Sequence, residues 1–223
     1  MNINDSQASV RTVLLWDWNG TLLDDTSCCA AALDAMLRRR GLPERGLEFF
    51  RENFAFPAKN FYSLVGIDVS PDVWDDLARE YHREYLARPA TLAADARAAL
   101  DDAAAAGAVQ CILSALRQDL LEEAVATHGL RGRFARLAGS DSLDGAGKTS
   151  VARALAATLA AEYPGATLAL IGDSLHDAEV AREIGARCVL YGGGSHAPHR
   201  LAEAAPVAAT LREAVALALV RTR

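Results

Sequence analysis

Short apolar runs alternate with helical stretches along most of this chain, and that alternation restricts its fold more than any other feature. The runs are Val13-Leu14-Leu15, Val109–Leu113, Phe134–Ala138, Thr167–Ile171 and Cys188–Tyr191. They are apolar at consecutive positions, so both faces of each strand must be covered, as in a parallel sheet. Between them the helical period predicts helices over 93–106, 118–128, 148–162 and 176–184, ended by Gly107, Gly129, Pro164-Gly165 and Gly185. Thr210-Leu211-Arg212-Glu213 is a capping box that opens a final helix. Strands alternating with helices give an α/β fold, a Rossmann-like parallel sheet with covering helices.

One stretch breaks the alternation. From about residue 26 to 90 the chain reads as helical, with no strand-like run. Leu33, Met36, Leu37 and Arg40 fall at helical spacing over 27–40, and Gly41 and Pro43 end that helix. Ser70-Pro71-Asp72 starts another, with Ser at the N-cap and Pro at the first helical position. Trp74, Leu77, Tyr81 and Tyr85 then share one face. Phe49, Phe50, Phe54, Phe56, Phe61 and Tyr62 crowd the segment between, and read as a small separate core in preference to a pocket wall. The expected division is a core domain of residues 1–25 and 91–223, interrupted by a small helical cap domain at 26–90. Residues 1–10 read as a frayed polar start.

Charge and targeting signals narrow the function. A net charge of −6 argues against nucleic acid or an anionic membrane as the main partner. No apolar run reaches the roughly 18 residues that span a bilayer, and MNINDSQASV lacks the basic and apolar regions of a signal peptide. Cys28, Cys29, Cys111 and Cys188 show no metal-ligand spacing. Reduced thiols and a cytoplasmic protein are the expectation. Of 23 basic residues only Lys59 and Lys148 are lysines, which makes each a candidate for a specific role, because Lys and Arg are not interchangeable.

In an open α/β sheet the residues just past the strand carboxyl ends converge. Here these are Asp17 to Thr21, Ser114, and Asp173 to Asp177, and Lys148 opens a helix after a glycine loop. Carboxylates, hydroxyls and one lysine suit a hard divalent cation together with a phosphate. His176 reads as a surface or supporting residue, and His196 and His199 as loop residues of little information.

These pieces, Asp17-Trp18-Asn19-Gly20-Thr21, Ser114, Lys148 and Gly172-Asp173-Ser174-Leu175-His176-Asp177, resemble the motifs of the haloacid dehalogenase superfamily of hydrolases, in order and over the whole chain. The resemblance implies a phosphomonoester hydrolase, phosphoglycolate-phosphatase-like, acting through an aspartyl-phosphate. Asp17 would be the nucleophile. Asp17, Asp173 and the Asn19 carbonyl would bind Mg²⁺. Thr21 and Ser114 would hold the phosphoryl group, Lys148 would pair with Asp17 and the phosphate, and Asp177 would orient Lys148 or a metal-bound water. The implied partner is a small phosphoglycolate- or sugar-phosphate-like molecule, for a monomer or homodimer.

The sequence departs from that pattern at Asn19, where phosphatases of the family carry an acid/base Asp. An amide cannot supply a proton, and such help is typically worth about 10²–10⁴-fold. Two alternatives stay open. Asp-Trp-x-Gly-Thr also resembles phosphonoacetaldehyde hydrolases, which cleave a C–P bond with a cap lysine, here Lys59. A non-catalytic phosphate-binding homologue is the other. Apart from the Schiff-base role, Lys59 is expected to help bind an anionic substrate.

Overall fold

Strands that are apolar on both faces have to be sandwiched between helices, and the protein is built that way. The structure, a computed structural model, describes residues 11–141 and 147–220. The polar start at 1–10 and the glycine loop at 142–146 ahead of Lys148 lie outside the described residues. The main sheet contains β1 (Thr12–Trp16), β4 (Val109–Arg117), β5 (Arg136–Ser140), β6 (Thr167–Gly172), β7 (Arg187–Tyr191) and β8 (Val207–Ala208). Its spatial order is β5-β4-β1-β6-β7-β8, with every neighbouring pair parallel. The chain builds outward from β1 through β4 to β5, then crosses back to lay β6 on the other side of β1. That reversal is a topological switch point, where α/β sheets open a ligand crevice.

The two sheet faces follow the strand period of two. Leu14, Trp16, Ile112 and Ile171 point to one side, against Leu100 of α5 (Ala96–Ala105), Leu121 of α6 (Gln118–Thr127) and Leu211 of α10 (Leu211–Leu219). Val13, Leu15, Cys111 and Leu170 point to the other, against Leu155 of α7 (Thr149–Glu162) and Val180 of α8 (Leu175–Glu183). Among the described residues no helix is long and apolar enough to cross a membrane.

Between β1 and β4 lies a helical insert of α1 (Thr26–Arg39), α2 (Gly46–Asn53), α3 (Ala58–Leu64) and α4 (Pro71–Leu86). It has its own apolar cluster, including Leu33, Met36, Phe50, Phe61, Trp74 and Leu77. Arg39 at the end of α1 and Arg40 just past it clamp Glu80 and Glu84 of α4. The chain enters and leaves through β2 (Leu23–Asp24) and β3 (Thr91–Leu92), an antiparallel pair in which Leu23 faces Leu92.

Several details differ from the sequence expectation. β4 continues past Ser114 to Arg117, with a register shift against β5 after Leu113. The β2/β3 ribbon, β8 and the single turn α9 (Pro198–Leu201) were not expected. At two to four residues they are too short to carry a periodic signal. Ser70 stands at the N-cap of α4, yet its side chain makes no cap bond. Its backbone N–H instead donates to Asp68 Oδ1 at 2.9 Å. Thr210 caps α10 by accepting the Glu213 N–H at 3.1 Å, but the reciprocal half of the expected capping box does not form, because the Glu213 carboxylate accepts the Ala209 N–H at 2.8 Å instead.

Candidate active site

β1 ends at Trp16, and the backbone N–H of Asp17 makes one further sheet-like bond, to the Ile171 carbonyl at 2.8 Å. Asp17 is thereby held at the switch point, beside the end of β6. Across from it, β4 loses register just after Leu113, and such irregularities re-aim side chains at sites. Ser114 sits in this stretch, buried, with its Oγ accepting the Leu116 N–H at 3.1 Å. β6 delivers Gly172 and Asp173, and Ser174 caps α8. The Asp177 carboxylate ties that turn together by accepting the Asp173 N–H at 3.1 Å, the Ser174 N–H at 2.9 Å and the Ser174 hydroxyl at 2.6 Å. Position 172 must be glycine, because a Cβ there would run into the Asp177 carboxyl group. Gly20 is constrained twice over: its φ is +75° and a Cβ would collide with Asp173 and Ser195.

Lys148 lies just before α7 and its side chain is 2% exposed. The ammonium donates to an Asp17 oxygen, sits 2.6 Å from Asp177 Oδ1 and donates to the Leu113 carbonyl at 3.0 Å. Oxygens of Asp17, Asp173 and Asp177 lie within 4.8 Å of one another. Burial pushes the Asp17 carboxyl well above the usual range, with Lys148 opposing and Asp177 and Asp173 adding to the rise. Burial and Asp177 likewise push Asp173 up to about 6. Burial would raise Asp177 too, but Lys148 overcomes it and holds that carboxyl low. Burial opposes the charge on Lys148, yet the two aspartates keep its pKa raised.

Three buried carboxylates against one ammonium leave negative charge unbalanced. All the donors are oxygens, the set that hard divalent cations take. Asp177 is tied to Lys148 and to the turn at the start of α8, and Asp173 to Thr21 and Ser195, so the group that could hold a divalent cation is the set Asp17, Asp173 and Asp177.

Sign and size of the Asp173 effect can be measured. Its folded pKa lies above the unfolded value of about 3.9, so the metal-free folded protein binds more protons and loses stability as pH rises from about 4 to 6. The stability gained by Asp173→Asn over wild type, read from urea midpoints without metal, is expected to grow across that interval to on the order of 2 kcal/mol.

Two expected groups are placed elsewhere. The Thr21 side chain is fully buried and donates to Asp173 Oδ1 at 3.1 Å, away from the cavity wall. The tight turn in which the Leu23 N–H bonds the Trp18 carbonyl at 2.9 Å aims it there. Thr21 therefore supports Asp173, and its hydroxyl does not face a phosphate. Lys59 has its Nζ 4.7 Å from the Trp74 ring centroid, a cation–π contact. It is not among the described residues lining the cavity.

Other groups belong to the site without having been singled out. Asp25 is fully buried, and its carboxylate accepts from the Asn19 amide at 2.6 Å, the Gly20 N–H at 2.7 Å and the Tyr85 hydroxyl at 2.6 Å. The Asn19 amide also donates to the Tyr85 oxygen at 2.9 Å. Tyr85 comes from α4, so this cluster joins insert to core. Tyr85→Phe removes a hydrogen bond to a carboxylate and is expected to cost about 1.5–3 kcal/mol in urea unfolding. The Ser195 N–H donates to Asp173 Oδ2. His176 accepts the Lys148 N–H at 3.1 Å and packs on Phe56, with centroids 5.0 Å apart. His196 accepts the Leu175 N–H at 3.1 Å and meets Phe54 at 6.0 Å. His196 does lie in a loop, as expected, but it is buried between insert and core, and burial lowers its pKa to about 4.

A cavity of about 180 Å³ opens over these groups. Asp17, Asn19, Ser114, Lys148, Asp173 and Ser195 form its core side, and α2, α3 and α4 form the opposite wall. The crowded aromatics of the insert thus serve both as its core and as a pocket wall, which corrects the expectation of a separate core alone.

The profile of the haloacid dehalogenase-like hydrolases matches residues 14–182, from β1 into α8. No curated protein matches the chain. Among solved structures, the fold is similar to that of a haloacid dehalogenase-like hydrolase from Streptococcus pneumoniae, at 18% identity, with 93% of this chain and 98% of that one covered and a TM-score of 0.70. It is also similar to a protein from Haemophilus somnus described as a predicted phosphoglycolate phosphatase (16% identity, coverage 93% and 97%, TM-score 0.72). Protein tyrosine kinase A of Mycobacterium tuberculosis gives 20% identity, coverage of 96% and 100%, and a TM-score of 0.73. At these identities the likeness is one of fold.

Proposed function

This chain belongs to the haloacid dehalogenase-like hydrolases, and from that premise we propose that it is a Mg²⁺-dependent phosphomonoester hydrolase with Asp17 as nucleophile. The observation that carries the proposal is the Asp17 carboxylate, paired with buried Lys148 at the switch point and lining the cavity. A binding protein has no need of a nucleophile so placed.

An Asp17 oxygen attacks phosphorus and the bond from phosphorus to the ester oxygen breaks, leaving an aspartyl-phosphate and an alkoxide. Water then attacks the phosphoryl group, releasing phosphate and restoring Asp17. Lys148 offsets the repulsion between carboxylate and phosphate, and the Ser114 hydroxyl holds a phosphoryl oxygen. Asp177 keeps Lys148 in place. Mg²⁺, held by Asp17, Asp173 and the Asn19 carbonyl, would neutralise phosphoryl charge. Residues 26–90 act as a cap over the core of 1–25 and 91–223 and exclude water. The Asn19 amide, committed to Asp25 and Tyr85, supplies no proton, so the leaving alkoxide takes one from water and turnover is slow. No observation favours the C–P reading, which needs an amine in the cavity where Lys59 is not found.

The test is Mg²⁺-dependent phosphate release from small phosphomonoesters and from phosphonoacetaldehyde, after a mass check for deamidation at Asn19-Gly20. Release from the esters, abolished by EDTA and by Asp17→Ala, is expected; silence on every ester overturns the reading. Metal binding has a separate readout. At a hundred times its Kd, Mg²⁺ should stabilise the wild type by about 2.7 kcal/mol, and Asp173→Asn should lose most of that gain in thermal unfolding.

A further inference from the structure

We propose that the ester is one whose leaving group is uncharged and apolar, about the size of a single six-membered ring. This rests on the hydrolase reading above and gives that site its substrate class. Opposite the phosphate-binding side, the cavity wall is Phe50, Phe54, Phe56, Phe61, Tyr62 and Trp74. A phosphoglycolate carboxylate or a sugar's ring of hydroxyls would lose water there and find few partners, at a cost of several hydrogen bonds. An apolar ring gains from the same burial, and edge-on or stacked contact with aromatic walls adds to it.

The insert has cations, and nearly all of those described are engaged elsewhere. Arg51 donates to the Gly193 and Gly194 carbonyls of the core. Arg39, Arg40 and Arg88 pair with Glu80 or Glu84. Arg45 lies over Phe49, and Lys59 over Trp74. No Lys or Arg of the insert is among the described residues lining the cavity. Of the polar groups on that wall, the Tyr85 hydroxyl is committed to Asp25 and His82 Nδ1 faces the Ala78 carbonyl at 2.8 Å, while Trp74 Nε1 is buried without a hydrogen-bond partner among the described residues. The whole cavity, phosphate side included, measures about 180 Å³, and an apolar cavity of about 150 Å³ takes benzene, so the apolar group is no larger than a single ring.

Benzyl phosphate, phosphoglycolate and glycerol 1-phosphate decide the matter. All three release a poorly acidic alcohol, so the missing acid at Asn19 penalises them alike and only the leaving group's polarity differs. Benzyl phosphate is expected to show at least tenfold higher kcat/KM, carried by KM, and Phe56→Ala to remove most of that advantage. Equal or reversed preference overturns the proposal. A binding arm separates its failure from failure of the hydrolase reading. With Mg²⁺ present, benzylphosphonate should bind at least tenfold tighter than phosphonoacetate by calorimetry. If no ester is hydrolysed and this order holds, the hydrolase reading falls and the apolar-ligand assignment stands. If the two bind equally, the assignment falls.

Discussion

Lys148→Met is expected to abolish measurable turnover and to destabilise the protein by about 3–5 kcal/mol, the usual cost of breaking a buried ion pair from one side. Among the described residues the Lys148 ammonium is the cation that pairs with both Asp17 and Asp177, and it is buried with them. Methionine fills much of the same space but leaves three carboxylates within 4.8 Å of one another. Without Lys148 the folded pKa values of Asp17 and Asp177 must rise, because Lys148 lowers both. A carboxylate with a raised folded pKa loses stability as pH increases, so the defect should be larger at pH 8 than at pH 5. Mg²⁺ should recover part of it by supplying positive charge to the same oxygens. Urea unfolding at both pH values, with and without Mg²⁺, checks this. A loss under about 1 kcal/mol that does not change with pH would remove Lys148 from the role given to it.

Exchanging Asn19→Asp together with Asp25→Asn is expected to raise kcat by about 10²–10⁴-fold, the range attributed to a positioned general acid–base. The double change keeps the hydrogen bond now made from the Asn19 amide to the Asp25 carboxylate at 2.6 Å, with donor and acceptor reversed. Asn19→Asp alone is expected to do less. It would set two carboxyl groups at hydrogen-bond distance, where they share a proton and one pKa is strongly raised. Its pH–rate profile should therefore be displaced relative to that of the double variant. Equal rates in wild type and double variant, with both proteins folded and binding Mg²⁺, would show that protonation of the leaving group is not what limits turnover.

Most of the catalytic side of this site was legible because it is local. Asp17 and Asp173 each follow a strand, and a residue just past a buried parallel strand has one place to go; Ser114 lies within β4, where the register shift begins. Asp177 reads from Asp173 because four residues make one helical turn. Lys148 stood out as a lysine in an arginine chain. The same rarity misled at Lys59: scarcity marks a residue but does not say where its side chain points, and packing laid it over Trp74.

What stayed hidden depends on contacts between distant segments. Nothing in the sequence set Asp25 apart, and Tyr85 was one aromatic on a helix face. Their bond spans 60 residues, and it forms only once the insert has folded back onto the core. His196 is the loop residue it was read as, but only packing showed that Phe54 of the insert meets it. Period, strand ends and motif order by themselves determined the parallel sheet, the helical interruption and the charged floor of the cavity, because alternation and spacing act over one element at a time. Only the tertiary structure decided that the roof is aromatic and free of cations, that Thr21 serves Asp173, and that the Asn19 amide is locked to Asp25, since each depends on which side chains reach the same point in space.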